Sequence, residues 1–526
     1  MNLKFDKIST EVIKLVKTHH KIILGISLIY FFSNCFLGLD FTDGFFHINA
    51  ASQIKGTYPF ETLLTSQILH FLFVLFGKHL IVYRCCNAIL TLLGFCILSK
   101  SSKGIIINSN RNLMLAAFLI LASPIINNIF GYDSLSLLML IIIVYFLFHY
   151  SLDTIKNLLV LSTLIGLFIL IRIPNIIIIP FISIYLFASY KEKSWSIIKT
   201  TGVFIFVVVG TIIFYLSWLL IYYGSLSTAF STFSSVDDHD FILLIKNYLR
   251  DSIRVICYLT LLTASYFWII NKKSNQRFLF MFLQFIFLYA FIFNTPYVWN
   301  YTLFLTAFNC SFITILFIKE KKINYLYLFV LLSSLVLSIG SNTGLSKTAT
   351  FGTFGFLFCL ETFKKIDRIY LISWLFVLIP FSFFENAGWT YEDGNLFRLR
   401  KTINIEGLNP ILTTEKHYRY IHSVTEKSAL LKKEGYLVIY YGYYSHLFTF
   451  LNPAKRQFYS FDQRFGSSKE IESILKEYSK NKIAIFITDN IGYQKRKDTT
   501  YVEKLLLEKG FTIDTDERFT IYKSPN

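Results

Sequence analysis

The chain has 526 residues, of which 54% are hydrophobic and only 16% charged, and it carries 56 phenylalanines and a net charge of +18. A mean hydropathy of +0.52 with so little charge excludes a soluble globular protein of ordinary make-up and leaves a polytopic membrane protein. The isoelectric point near 9.3 does not imply nucleic acid as a partner, because the lysines and arginines fall in short clusters between apolar runs, as topogenic charges do.

Lys4, Lys7, Lys14, Lys17 and Lys21 precede the first apolar run, and no small-residue cleavage signal follows, so the start reads as uncleaved. A bilayer-crossing helix needs about 20 apolar residues, and shorter segments serve where they are buried in a bundle. Such segments fall at 22–38, 80–98, 112–130, 135–150, 157–171, 174–189, 201–221, 253–270, 278–293, 301–318, 324–339, 350–363 and 369–384. The expectation is an α-helical membrane protein of about 13 spans. Residues 63–76 are too short for a comfortable span and read as an interfacial or re-entrant helix.

Orientation follows from the basic loops. With the N-terminus in the cytoplasm, Lys100/Lys103/Arg111, Lys191/Lys193/Lys199, Lys272/Lys273/Arg277, Lys319/Lys321/Lys322 and Lys364/Lys365/Arg368 all fall inside; Asp153/Lys156 is the one inside loop lacking a basic cluster. The outer face then receives 39–79, 131–134, 172–173, 222–252, 294–300, 340–349 and the tail. All seven cysteines lie in or beside apolar segments, so neither a disulfide framework nor a C-x-x-C metal site is implied.

The chain divides into a membrane domain, 1–384, and a charged tail, 385–526, large enough for one domain. Leu437–Tyr441 and Ile483–Ile487 read as buried strands, and 511–513 and 519–522 as closing strands. Amphipathic helices are expected around 418–433, 468–480 and 500–509, which together make an extramembrane α/β domain. The tail contains no P-loop, G-x-G-x-x-G, G-x-S-x-G or H-E-x-x-H.

Polar residues that resist a membrane environment are candidates for chemistry. Asp40 and Asp43 follow the first span, ahead of a helix suggested by Phe46, Ile48, Ala50 and Ile54, with His47, Asn49 and Gln53 on its polar face. Asp43 reads either as the cap of that helix or as a general base facing a cavity. Arg84 stands at the outer end of a span, either to hold a phosphate, or to snorkel to the surface or pair with an outer-loop acid. Arg172, in Ile171-Arg172-Ile173-Pro174, is a lone charge in an apolar stretch and a second phosphate candidate. Asp133, in Gly131-Tyr132-Asp133-Ser134, reads as a cavity residue or as the cap of the next helix. Asp238 and Asp240 sit in Asp237-Asp238-His239-Asp240, which reads as an exposed acidic loop or as ligands for a hard divalent ion. The basic face behind them, Lys246, Arg250 and Arg254, suits anionic headgroups. Lys347, in the polar loop Gly340–Lys347, can bind phosphate or simply connect two spans.

An acidic residue and glycine (Asp43-Gly44) open the first outer loop, and an A-x-x-I-x-x-G-x-Y-P continuation runs from Ala51 through Tyr58 to Pro59. An interfacial helix and an arginine early in the next span follow. This order resembles the GT-C superfamily of polyprenyl-phosphate-sugar glycosyltransferases, which includes protein O-mannosyltransferases and the aminoarabinose transferase of lipid A. The motifs that carry the resemblance cover 39–90 and 131–134, and many members have two adjacent acids where this chain has Asp43-Gly44. The resemblance implies Asp43 as the base, with Asp40 as its substitute; the placement of the cations leads to the expectation that Arg84, Arg172 and Lys347 hold the donor phosphate. His47, Tyr58 and Asp133 would line the substrate cavity.

The expected activity is sugar transfer from a polyprenyl-phosphate donor to an envelope acceptor, whether O-antigen, lipid A, capsule or glycoprotein. It would occur on the periplasmic face of a bacterial inner membrane, with the C-terminal domain on that side. Transfer requires no cofactor; if a divalent metal takes part, Asp238 and Asp240 are its ligands. A flippase of lipid-linked sugar, or a non-catalytic envelope-assembly protein, is the alternative. No internal repeat supports the transporter reading, and the polar motifs gather on the outer face.

Overall fold

The structure is a computed structural model. It describes residues 14–15, 17–40, 43–52, 63–101, 108–123, 129–189, 194–223, 241–270, 276, 298–321, 325–336, 338, 345, 368–388, 393–442, 444–452, 472, 475–476, 480–488, 497–515 and 519–525. The first part is helical: α1 (His20–Ser33), α2 (Asp43–Ser52), α3 (Leu63–Phe76), α4 (Leu80–Ser101), α5 (Asn108–Ala122), α6 (Tyr132–His149) and α7 (Ile155–Ile171). It continues with α8 (Ile178–Ser189), α9 (Ser194–Tyr223), α10 (Phe241–Ile270), α11 (Val298–Glu320), α12 (Tyr325–Val336) and α13 (Arg368–Gly388).

Among the described residues, 5 helices are long and apolar enough to cross a membrane: Leu80–Lys100, Tyr132–His149, Lys199–Ile221, Ile245–Ile270 and Leu303–Glu320. Shorter apolar helices pack among them, such as Ile155–Ile171 and Arg111–Ala122. The chain is a polytopic helical membrane protein.

Several boundaries differ from the sequence expectation, each for a local reason. The helix expected over 112–130 stops at Ala122, just before Ser123-Pro124, because the residue preceding a proline is pushed out of the α region. The span expected from 174 begins as a 3₁₀ turn, Ile173–Ile177, with Pro174 at its start, and only then becomes α8. The basic amphipathic segment and the span at 253–270 form one 30-residue helix, α10, with Lys246, Arg250 and Arg254 on exposed positions. The spans expected at 278–293 and 350–363 lie outside the described residues. The helix expected at 63–76 is formed; its Phe71, Val74 and Leu75 are exposed while Leu69 is buried, the two-faced pattern that contact with lipid requires.

The C-terminal region begins with an antiparallel pair, β1 (Leu399–Thr402) and β2 (Leu412–Thr414), which the sequence did not suggest. Helix α14 (Glu415–Lys433) follows; the Thr414 hydroxyl accepts from the His417 N–H at 3.3 Å, Glu415 lies in the first turn and Lys432 and Lys433 in the last. Strand β3 (Leu437–Tyr441) pairs in parallel with β4 (Ile483–Ile487), and both are continuous apolar runs because such strands are covered on both faces. Strands β5 (Thr512–Thr515) and β6 (Thr520–Lys523) complete a 4-stranded sheet of order β3-β4-β6-β5. Helix α15 (Ser445–Leu451) follows β3, and α16 (Lys497–Glu508) precedes β5. Most of the helix expected at 468–480 lies outside the described residues.

Two apolar cores position the site. One fills the helical bundle around Phe95, Phe118, Phe168 and Phe308. The other joins the two regions: Leu39, Phe45, Ile48 and Leu80 are buried together with Ile411, Tyr420, Leu447 and Phe450. At the seam, Gly407 has φ +88, and its carbonyl accepts from Leu80 N–H at 2.9 Å. Only glycine reaches that conformation without strain and also permits so close an approach.

Candidate active site

The site is built where α1 ends. After a 3₁₀ turn, Asn34–Phe36, Leu37 is extended, Gly38 turns with φ +66, and the segment is held from two sides. Arg84, in the first turns of α4, is fully buried and donates from Nη1 to the carbonyls of Cys35 (3.2 Å) and Leu37 (3.1 Å). From the other side, Gly38 N–H donates to Leu412 O at 2.9 Å, and Leu37 bridges to Leu412. Leu39 N–H donates to Asp393 Oδ2 at 2.9 Å. A sequence expectation of phosphate binding thus meets an arginine engaged with main-chain carbonyls.

Asp40 is buried, and its Oδ2 accepts from Gly44 N–H at 3.0 Å. Among the described contacts, the bond to the first turn of α2 therefore comes from Asp40, three residues ahead of the helix. A Cβ on Gly44 would sit 3.0 Å from that oxygen and 3.6 Å from Ile129 Cγ2, so glycine leaves room for the carboxylate. Asp43 is the first residue of α2; its side chain lies outside what the structure describes. A carboxylate in a helix's first turn is favoured by the exposed N–H groups there. The helix suggested by Phe46, Ile48, Ala50 and Ile54 is formed over Asp43–Ser52, with Ile54 outside the described residues; among the described side chains Phe45, Ile48 and Ala51 are buried, at helical spacing.

His47, on the next turn, meets Tyr132 edge to face with centroids 5.5 Å apart. Tyr132 opens α6, whose start is tied by reciprocal bonds between Ser134 Oγ and the Gly131 N–H and C=O, each 3.0 Å. Ser134 thus makes the main-chain bonds at this turn; Asp133 is half-buried in the first turn of α6, where an acid suits the helix dipole. The Arg172 guanidinium lies over the Tyr132 ring, 5.1 Å from its centroid, and Arg172 is buried in the extended link between α7 and the Pro174 turn. A cation on an aromatic face in a desolvated setting is held by the ring quadrupole. The structure thus joins His47, Tyr132 and Arg172 in one row. Tyr58, Lys347, Asp238 and Asp240 lie outside the described residues, and no group of ≥ 3 metal-ligating side chains occurs among the described ones.

Side chains that sequence reading missed close the site from the C-terminal region. Asn49 Nδ2 donates to His446 O at 2.8 Å, and Phe45 packs on Phe450 at 5.0 Å. His446 is buried, and burial, aided by the nearby His47, pushes its imidazole down to about 3, so it is neutral at ordinary pH. Asp393 has a fully buried side chain and bonds His417 Nδ1 at 2.6 Å. Nothing local in the sequence marks these residues; Asp393 lies in a short polar run between the last span and β1.

Chemically, the arrangement offers a carboxylate, that of Asp40, at a helix start, able to take a proton, and a buried guanidinium linked to the same helix through Tyr132, able to face a phosphate. No family model matches the sequence, and no curated protein matches it. Among solved structures, the fold is similar to the crystal structure of ArnT from Cupriavidus metallidurans bound to undecaprenyl phosphate, with a TM-score of 0.46 and 10% identity. That match covers 95% of this chain and 97% of the other.

Proposed function

We propose that the chain is a membrane glycosyltransferase that moves a sugar from a polyprenyl-phosphate donor to an envelope acceptor on the extracytoplasmic face. The observation that carries the reading is that the helix begun by Asp43 places His47 against Tyr132, and Tyr132 lies beneath the buried Arg172. The first turns of the helix that carries the proposed base and the proposed phosphate-binding arginine are thereby linked through one ring, by elements far apart in sequence. The acid-glycine opening of the first loop and its resemblance to GT-C enzymes add support.

In the proposed reaction, Asp43 takes the proton from an acceptor hydroxyl or amine as the nucleophile attacks the anomeric carbon. The bond from that carbon to the phosphate oxygen breaks, the configuration inverts, and polyprenyl phosphate leaves with its charge balanced by Arg172. Asp40 caps the helix that carries the base, while Arg84 shapes the loop through its two carbonyl bonds. Lys347 is a further cation for the donor, and the acceptor is an O-antigen, lipid A, capsule or glycoprotein.

The test is transfer of labelled sugar in membranes holding equal amounts of wild type, Asp43→Asn or Asp40→Asn. Loss of a general base is expected to lower transfer by about 10²–10⁴-fold in Asp43→Asn. Full transfer in both variants would make the base assignment wrong, and passage of lipid-linked sugar across the bilayer without transfer would move the reading to a flippase.

A further inference from the structure

We infer that Asp393 is a positioning residue: acting from the C-terminal region, it fixes the turn carrying Asp40 and thereby the start of the helix that bears the proposed base. The inference rests on the proposed transfer reaction for its catalytic consequence, and on hydrogen bonds for its geometry.

The Asp393 side chain is 0% exposed, and its carboxylate, an acceptor only, is surrounded by donors. Thr413 Oγ1 donates within 2.7 Å of Oδ1 and 2.9 Å of Oδ2, and Thr414 approaches Oδ1 from N–H (3.3 Å) and Oγ1 (3.2 Å). His417 Nδ1 lies 2.6 Å from Oδ1, and its Nε2 is 3.5 Å from the Tyr444 hydroxyl. All of these partners belong to the C-terminal region. The remaining bond leaves it: Leu39 N–H to Oδ2, across 354 positions.

Leu39 is next to Asp40, whose Oδ2 holds Gly44 N–H. Three hydrogen bonds therefore run in series: His417 Nδ1 with Asp393, Leu39 N–H to Asp393, and Gly44 N–H, in the first turn of α2, to Asp40. The apolar contacts at this seam, such as Phe45 on Phe450, set proximity but not direction. A satisfied buried polar network adds direction, because its members tolerate little angular change. Displacing a catalytic group by an ångström is enough to slow a reaction about a hundredfold.

The experiment uses the full-length protein in lipid nanodiscs and reads two quantities: transfer kinetics, and amide hydrogen exchange of the peptide spanning 37–44. The variants are Asp393→Asn, His417→Ala and His417→Asn, with Lys523→Met on the far strand β6 as a control. Asp393→Asn is expected to lower kcat about a hundredfold with KM little changed, and to speed exchange at 37–44 about tenfold or more. His417→Ala should move both readouts the same way by less, and His417→Asn, whose amide offers a donor near the place of Nδ1, should recover much of the loss. The control should leave both unchanged.

Faster exchange with wild-type kcat would overturn the positioning role, as would unchanged exchange. Where Asp393→Asn fails to accumulate, His417→Ala and Thr413→Val, each removing a single donor, carry the same comparison. Full transfer in Asp43→Asn and Asp40→Asn would remove the base assignment alone. In that case a change in exchange confined to 37–52 still supports the geometric claim, and its absence overturns it.

Discussion

Gly407 and Lys78 meet backbone to backbone: a Cβ on Gly407 would lie 2.7 Å from the Lys78 carbonyl oxygen, and 2.9 Å from Phe450 Cε1. The contact joins the C-terminal region to the link between α3 and α4. Neither the carbonyl nor a packed ring can retreat without moving the seam.

Gly407→Ala is therefore expected to destabilise the protein by more than about 1 kcal/mol, through its left-handed backbone and the clash together. Gly435→Ala is the matched control, since φ is +86 there with nothing within 4 Å of the added carbon. The thermal unfolding midpoint of each variant in detergent should fall further for Gly407→Ala. Equal shifts would mean that the seam yields.

Arg172 combines charge, planarity and a ring contact, which lysine cannot reproduce. Arg172→Ala should lower kcat/KM for the lipid-linked donor by about tenfold to a hundredfold, the scale of a hydrogen bond to a charged group. Arg172→Lys should restore only part of it. Steady-state kinetics at varied donor concentration decide the matter, and complete rescue by lysine would argue against a forked contact to phosphate.

His446 predicts an acid-side loss of stability. Its folded value, about 3, lies below the ordinary histidine value of 6.5, so the unfolded chain binds the extra proton first as pH falls. Stability from this group is complete above 6.5 and is lost as pH drops from 6.5 toward 3, by about 1.4 kcal/mol per unit. Between pH 7.5 and 5 the unfolding midpoint of the wild type should fall, and His446→Gln should flatten that slope. A slope unchanged by the substitution would show that other groups govern the acid limb.

The proposed chemistry neutralises the leaving phosphate with guanidinium, so chelation is expected to change transfer by less than about twofold. Transfer assayed with EDTA, then with added magnesium or manganese, measures this directly. Abolition by EDTA and recovery with metal would point instead to Asp238 and Asp240 as ligands.

What was legible in the sequence were features with a local or periodic signature. The apolar runs at 437–441 and 483–487 announce buried strands, which the structure pairs in parallel, and Arg172 stands out because a charge in an apolar stretch is conspicuous. Arg84 was conspicuous for the same reason, but its partners are the carbonyls of Cys35 and Leu37, which every residue possesses and no pattern reveals. Short elements such as β1, β2 and α15 are decided by what they pack on, so propensity alone does not find them. The bond from Gly44 N–H in the first turn of α2 to the Asp40 carboxylate is set by tertiary placement, which residue type does not reveal. Asp393 and His446 reach the first loop only through tertiary structure.

The core shared by Leu39, Phe45 and Ile48 with Leu447, Phe448 and Phe450 also orders events during synthesis. Leu39 leaves the ribosome 354 residues ahead of Asp393, an interval of roughly 20–70 s at ordinary translation rates. Throughout it, the first loop has neither its apolar cover nor its bond to Asp393. A truncated chain of correctly inserted helices would therefore hold its acids in an unfinished loop, and the proposed catalytic end would mature only when the tail arrives.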